Sequence, residues 1–305
     1  MGILFAFLTA LSFAVGNIVI KKGITRTNGE NNGFLITVTM NVILLGLFYF
    51  IASAVRGFTF HFSWKALFVF MSAGLLTSGL GRYTLFAAIG KINPSRASAL
   101  KNAAPIFTIL FALLILGERL TWIEGAGILL LLGAISIQGA MYFKNLPSSG
   151  KNGKNEKSQT YWTGYGLAVL AALIFGAGQG IRKQGLLILN DAFFGAWVGS
   201  LTAFCFIIIY ESLKGRLKTT VEKNRKTLNG YFIASGTLTT TGPLCFFIGA
   251  SLIQVSFVSV IAAIEPLLTI LLSALFLKKE EELSLSVWLT AALVLTGTIV
   301  IAFAT

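Results

Sequence analysis

Residues 81–120 read G-R-Y-T-L-F-A-A-I-G-K-I-N-P-S-R-A-S-A-L-K-N-A-A-P-I-F-T-I-L-F-A-L-L-I-L-G-E-R-L, and residues 242–283 return to the same text. The second copy opens G-P-L-C-F-F-I-G-A-S and runs on through V-S-V-I-A-A-I-E-P-L-L-T-I-L-L-S-A-L-F-L-K-K-E-E-E-L. With Gly81 laid on Gly242, Pro105 falls on Pro266, Thr108 on Thr269 and Ile109 on Ile270. Both copies are too apolar for water. A hydrophobic stretch that recurs with a proline at the same place in each half is the pattern of a membrane chain built from two repeats around a central site.

The composition agrees. Of 305 residues only 11% are charged and 55% are hydrophobic, too little polar surface to cover a soluble globule. The net charge of +13 comes from Lys and Arg clustered in short loops, where they signal topology and meet anionic lipid, so nucleic acid is not an expected partner. His61 is the only histidine, which leaves almost no ligands for a metal site, and Cys205 and Cys245 lie in apolar runs where a thiol behaves as a small hydrophobe.

A helix needs about 20 apolar residues to cross the hydrocarbon core. Ten such windows occur, near 3–20, 34–55, 66–90, 95–116, 121–141, 161–181, 192–211, 229–250, 255–277 and 284–304, with the turn between the eighth and ninth placed at Ser251–Gln254. The first is not expected to be a cleaved leader: it lacks a basic start, and L-T-A-L-S-F-A-V-G-N-I-V-I-K-K-G (8–23) recurs as L-A-A-L-I-F-G-A-G-Q-G-I-R-K-Q-G (170–185). Residues 145–160, rich in Gly, Ser, Asn and Lys, read as a flexible basic linker between repeats at 1–144 and 161–305. Five spans on each side of it would make the second copy enter the membrane upside down. The expected fold is therefore an all-α integral membrane protein of ten helices in two inverted five-helix repeats.

Loop charge orients the chain. Lys and Arg crowd the side bearing the linker, while the opposite side holds Arg56, Lys65, Arg119, Arg182 and Lys183. The positive-inside rule then puts the linker in the cytoplasm and both termini outside.

A charge deep in an apolar span costs at least ~2.5 kcal/mol and is a functional candidate by default. Arg82, Lys101 and Glu265 qualify. Glu265 is followed directly by Pro266, whose missing donor frees backbone carbonyls and opens the helix nearby; Pro105 is the matching helix-break, and Lys101 precedes it by four residues. The sharper reading pairs Lys101 with Glu265 across the repeats, and the plainer one makes them a permanent ion pair or a snorkelling lysine. Asn17 and Gln179 hold matching positions in the first span of each half, beside small residues that let helices approach closely. The sequence has no nucleophile elbow, no phosphate-binding Gly-Lys-Ser/Thr loop and no H-E-x-x-H, so neither an enzyme nor a metal or other cofactor is expected.

At A-A-P-I-F-T-I-L-F-A-L-L-I-L-G-E-R-L-T (103–121) and I-E-P-L-L-T-I-L-L-S-A-L-F-L-K-K-E-E-E-L-S (264–284) the chain resembles the EamA-type ten-helix members of the drug/metabolite transporter superfamily. The resemblance implies an inverted-repeat bundle with the fourth and ninth helices near a shared cavity, proton-coupled or substrate-driven export of amino acids, other metabolites or drugs, and termini in the cytoplasm, against the loop-charge reading. The second copy departs from the pattern at Lys278-Lys279-Glu280-Glu281-Glu282, and Lys101 stands where an uncharged residue is common.

Taken together, these features point to a secondary transporter in the cell membrane, the bacterial inner membrane by preference. It would export small metabolites such as amino acids by alternating access, as a monomer or homodimer. Multidrug efflux of organic cations is the rival reading, with a scaffold or a lipid-modifying enzyme behind it. Arg82 and Lys101 would suit a substrate carboxylate, and Glu265 an ammonium or a coupling proton.

Overall fold

The computed structural model describes residues 1–27, 31, 33–58, 62–92, 100–144, 156–265, 267–269, 271–272 and 285–304, and among them all regular secondary structure is helical. Helices satisfy every backbone donor and acceptor internally, which a segment in lipid must do. The first half comprises α1 (Gly2–Arg26), α2 (Phe34–Val55), α3 (Trp64–Gly74), α4 (Gly81–Ile92), α5 (Ala104–Phe111) and α6 (Trp122–Lys144). Leu75–Leu80 joins α3 to α4 as a π-helical stretch, and Ala112–Leu116 extends α5 in the same way. The second half comprises α7 (Glu156–Ile188), α8 (Ala192–Leu213), α9 (Leu217–Lys226), α10 (Gly230–Leu252), α11 (Val255–Ala262) and α12 (Leu285–Ala304). Among the described residues, six helices are long and apolar enough to cross a membrane, α1, α2, α8 and α10 included.

Local chemistry fixes where several helices start. Asp191 accepts hydrogen bonds from the amides of Phe193 and Phe194 (3.1 and 3.0 Å) at the head of α8, and Asn229 from that of Phe232 (3.1 Å) at the head of α10. Thr121 and Glu124 cap α6 reciprocally, the Glu124 carboxylate accepting from the Thr121 amide at 2.6 Å and the Thr121 hydroxyl from the Glu124 amide at 3.3 Å. The turn expected at Ser251–Gln254 is present, since α10 ends at Leu252 and α11 begins at Val255. The segment read as a linker is shorter than its composition suggested: residues 156–160 already belong to α7, and 145–155 lie outside the described residues. A run of Glu, Lys, Ser, Gln and Thr extends a helix readily once the apolar stretch behind it has nucleated one.

The helices meet across the two halves. α1 runs antiparallel to α10, Gly2 meeting Ile253, Gly16 meeting Thr239 and Gly23 meeting Phe232; α3 and α4 run antiparallel to α7, Phe70 meeting Gly185, Thr77 meeting Gly178 and Gly81 meeting Phe175. A methyl group added at Gly16 would stand 2.5 Å from Thr239 Cγ2, and one at Gly178 2.5 Å from Thr77 Cγ2. Three contacts thus occur twice with the halves exchanged: Gly16 on Thr239 and Gly178 on Thr77, Gly23 on Phe232 and Gly185 on Phe70, Gly242 on Phe13 and Gly81 on Phe175. Lipid tails are as apolar as leucine, so helices here associate through close packing of such small residues rather than by escape from water. Between the pairs lies a fully buried aromatic and aliphatic centre that includes Phe70, Phe247, Phe257, Val258 and Ile261.

Both halves are interrupted at the same place. The chain is helical to Lys101, turns at Asn102–Ala103 and resumes at Ala104, and it is likewise helical to Ala262, turns at Ala263–Ile264 and resumes at Glu265. Pro105 occupies the first turn of α5, where its lost donor has no intrahelical partner in any case. Pro266, the matching proline, lies outside the described residues.

Candidate functional site

Glu265 opens the helical turn after the second interruption, and its Oε1 accepts a hydrogen bond from Asn17 Nδ2 at 2.5 Å. Asn17 is exposed although it sits well inside α1. An amide bonded to a carboxylate is costly to place against lipid at that depth. The pairing of Lys101 with Glu265 expected from sequence does not form: among the described residues the ion pairs are Arg56–Asp191 (3.2 Å) and Arg216–Glu211 (3.4 Å). Each interruption instead faces the first helix of the opposite half, so Glu265 meets Asn17 on α1 while Lys101 Nζ lies 5.3 Å from the centre of the Phe175 ring on α7.

Arg82, on α4, lies within electrostatic range of Glu265. Its guanidinium lies 5.0 Å from the Phe34 ring centre and makes no hydrogen bond among the described residues. Arg182 is in turn within range of Arg82. It donates to Thr77 Oγ1 at 2.7 Å and lies over the rings of Phe246 and Phe247, 5.4 and 5.2 Å from their centres. Counting Arg182 among the loop cations was an error of length, since α7 is a 33-residue helix that carries Arg182 inside the bundle. Thr77 lies in the π-helical stretch, whose widened turn turns a hydroxyl toward α7.

Gln179, matched with Asn17 in the sequence, does different work. Its Oε1 accepts from Thr108 Oγ1 at 3.0 Å and from Ser259 Oγ at 2.5 Å, both on buried side chains, so it ties α5 and α11 to α7. A network this enclosed sets helix positions.

A second pair of charges, Glu118 and Lys183, lies at the junction of α10 and α11. Glu118 accepts from the Val255 amide at 2.8 Å and from Ser256 Oγ at 2.7 Å, at the start of α11, while Lys183 Nζ donates to the carbonyls of Ala250 (2.6 Å) and Ile253 (3.0 Å), at the end of α10. The L-G-E-R-L close of the repeat was the signal that could have singled out Glu118.

The sequence profile of the EamA-like transporter family matches residues 1–138 and again residues 162–303. The chain belongs to that family. This EamA-like transporter is therefore a multi-pass integral membrane protein of a transporter class. A crystal structure of another protein, 19% identical, resembles it over 99% of this chain and 96% of the other with a TM-score of 0.69, a likeness of fold. No curated protein matches the chain.

Proposed function

We propose that this EamA-like protein is a secondary transporter of ten membrane-spanning helices, its two inverted five-helix repeats, 1–144 and 161–305, rocking against each other to open a central site to either side of the cell membrane in turn. Its cargo is a small metabolite, amino acids among them, moved outward. The exchange of contacts between the halves supports the repeat reading, because two copies related by a two-fold axis make each cross-contact twice. The helix interruptions before Glu265 and before Pro105 support a site at mid-depth, where unwound backbone is tolerated only against protein or a water-filled space.

The observation that carries the reading is the Asn17–Glu265 hydrogen bond. A carboxylate inside apolar helices is costly. Here it is placed where a first-half helix meets a second-half interruption, the joint that rocking opens. Glu265 is then the proton carrier of this reading, set where Asn17 and Arg82 face it.

Protein reconstituted in liposomes under an imposed pH gradient tests this. Glu265→Gln should abolish the dependence of solute flux on that gradient while the protein still elutes as a folded species. Retained proton dependence would remove Glu265 from the mechanism. Organic-cation efflux, the rival reading, is disfavoured by the positive charge of Arg82 near this carboxylate.

A further inference from the structure

One side of α9 is occupied by the bundle. Leu217, Thr220, Asn224 and, at the cap, Thr227 recur at helical spacing and are all half-buried. Thr220 Oγ1 donates to Glu211 Oε2 of α8 at 3.0 Å, and the buried Asn31, between α1 and α2, donates to Asn224 Oδ1 and to Thr227 Oγ1. Arg216, just ahead of the helix, pairs with Glu211 at 3.4 Å. α9 thus straps the second half to the first, and these bonds fix which sides of it face outward. Lys218 and Arg225 lie three residues before and four after Val221, so the three share one flank, and all three are exposed. Lys223 and Lys226 point away from that flank, since the 3.6-residue turn carries each more than a quarter-circle round from Val221.

The level of the membrane surface is marked on both sides of this helix. The spans α8 and α10 end at Leu213 and begin at Gly230, so α9, from Leu217 to Lys226, is tethered to a span by three residues at each end. Tyr210, one turn inside the end of α8, packs on Tyr83 with ring centres 5.3 Å apart, and Lys214 folds back so that its Nζ lies 4.4 Å from the Tyr210 ring centre. Tyrosine and lysine together at a span end mark the headgroup layer. Leu213, Val221 and Leu228 are exposed here, where the upper acyl region can cover them.

Charge names the occupant. From Lys214 to Lys226 the chain carries six cations, Lys214, Arg216, Lys218, Lys223, Arg225 and Lys226, against the single carboxylate of Glu222. A basic helix with exposed apolar side chains, held in the plane of a bilayer, is drawn to anionic lipid. The Arg225 guanidinium offers a planar fork suited to a phosphate edge, and Lys218 a second positive charge on the same flank.

We infer that α9 is an interfacial helix that docks on anionic phospholipid, its Val221 flank set into the bilayer surface and headgroup phosphates held by Lys218 and Arg225. Its other side bonds α8 and Asn31, so the bound lipid secures a joint between the two halves. This surface does not depend on the transport reading.

The test follows thermal unfolding of the full-length protein in phosphatidylcholine nanodiscs carrying a rising fraction of phosphatidylglycerol. The midpoint should climb saturably, and less so at high salt. Lys218→Gln combined with Arg225→Gln should raise the phosphatidylglycerol needed for half the effect by about tenfold or more, the loss of two cations at the surface. Lys223→Gln combined with Lys226→Gln removes the same charge from the other sides and should raise it by no more than about threefold. Val221→Ser should weaken the response as well, and Lys218→Arg with Arg225→Lys should keep it. Each single Gln variant serves wherever a pair fails to elute as a folded species. Glycerol phosphate or polyglutamate added to pure phosphatidylcholine discs should leave the midpoint where it was. Four results would overturn the proposal: no climb with phosphatidylglycerol, a climb undiminished without Lys218 and Arg225, equal losses from the two pairs, or stabilisation by glycerol phosphate or polyglutamate as strong as by the lipid.

Discussion

Glu118 and Lys183 act on backbone rather than on each other's side chains. The carboxylate stands at the first amides of α11 and the ammonium at the last carbonyls of α10, so each meets the unsatisfied groups and partial charge of a helix end. Glu118→Gln keeps the shape and loses the charge, and should lower stability by about 1–2 kcal/mol, the low end for hydrogen bonds to charged groups because the side chain is half-exposed. Lys183→Met should cost a similar amount, and the double variant less than the sum, since each charge also lies in the field of the other. Thermal unfolding of the detergent-solubilised protein reads this out; strictly additive losses would mean the two charges act independently. At this scale the sequence spoke clearly where a polar group interrupts an apolar run, as at Asn17, Arg82, Lys101 and Glu265. It misled at Arg182 and Lys183, because cations near the end of a 20-residue window look like loop residues until α7 is seen to continue to Ile188. The partner of Glu265 was misjudged for a related reason: spacing along one helix does not tell which neighbouring helix a side chain faces, and Asn17, 248 residues away, meets it instead of Lys101.

Among elements, the π-helical stretch at Leu75–Leu80 and α7 form the joint that aims Arg182. Gly178 lets α7 approach closely enough for the Thr77 hydroxyl to reach the guanidinium, and a β-carbon there would lie 2.5 Å from Thr77 Cγ2. Gly178→Ala should therefore destabilise by about 1–3 kcal/mol, the cost of overpacking. Gly133 in α6 has nothing within 4 Å of the same position, and Gly133→Ala should be neutral or stabilise by about 0.5–1 kcal/mol, the helix preference for alanine. Unfolding midpoints measured on both variants decide it: a tolerated Gly178→Ala would show that the helices have slack to give. The interruption in each half was foreshadowed by Pro105 and Pro266, but the π-helical stretches were not. A widened turn has no composition of its own, and L-L-T-S-G-L at 75–80 reads as ordinary helix. The T-x-x-E cap at Thr121–Glu124 could have been read directly from sequence.

For the whole molecule, the open question of orientation gains from the placement of its charges. Arg182 and Lys183 belong to the bundle interior and to a helix end, so neither counts as a loop signal. On the ten-helix reading that leaves the side opposite the linker with Arg56, Lys65 and Arg119, and Arg56 is already paired with Asp191 at 3.2 Å. The linker side keeps its cations, four of them on α9, a helix with no buried residue that exposes Lys218, Lys223, Arg225 and Lys226 against Glu222, held to the bundle edge by Asn224 and Thr227 through Asn31 (3.0 and 2.7 Å). Basic residues close to span ends are retained on the cytoplasmic side and attract anionic lipid there, at about 1 kcal/mol each near the surface. The chain should accordingly place α9 in the cytoplasm and both termini outside, against the arrangement that family resemblance implies. Alkaline phosphatase fused after Thr305 should be active, and green fluorescent protein fused there should stay dark, because the first needs the oxidising side and the second fails to mature after export. Replacing Lys218, Lys223, Arg225 and Lys226 together by Gln should shift part of the population toward the reverse reading. A bright fluorescent fusion with an inactive phosphatase would instead mean that the basic helix faces outward, and that something other than loop charge sets the topology of this chain.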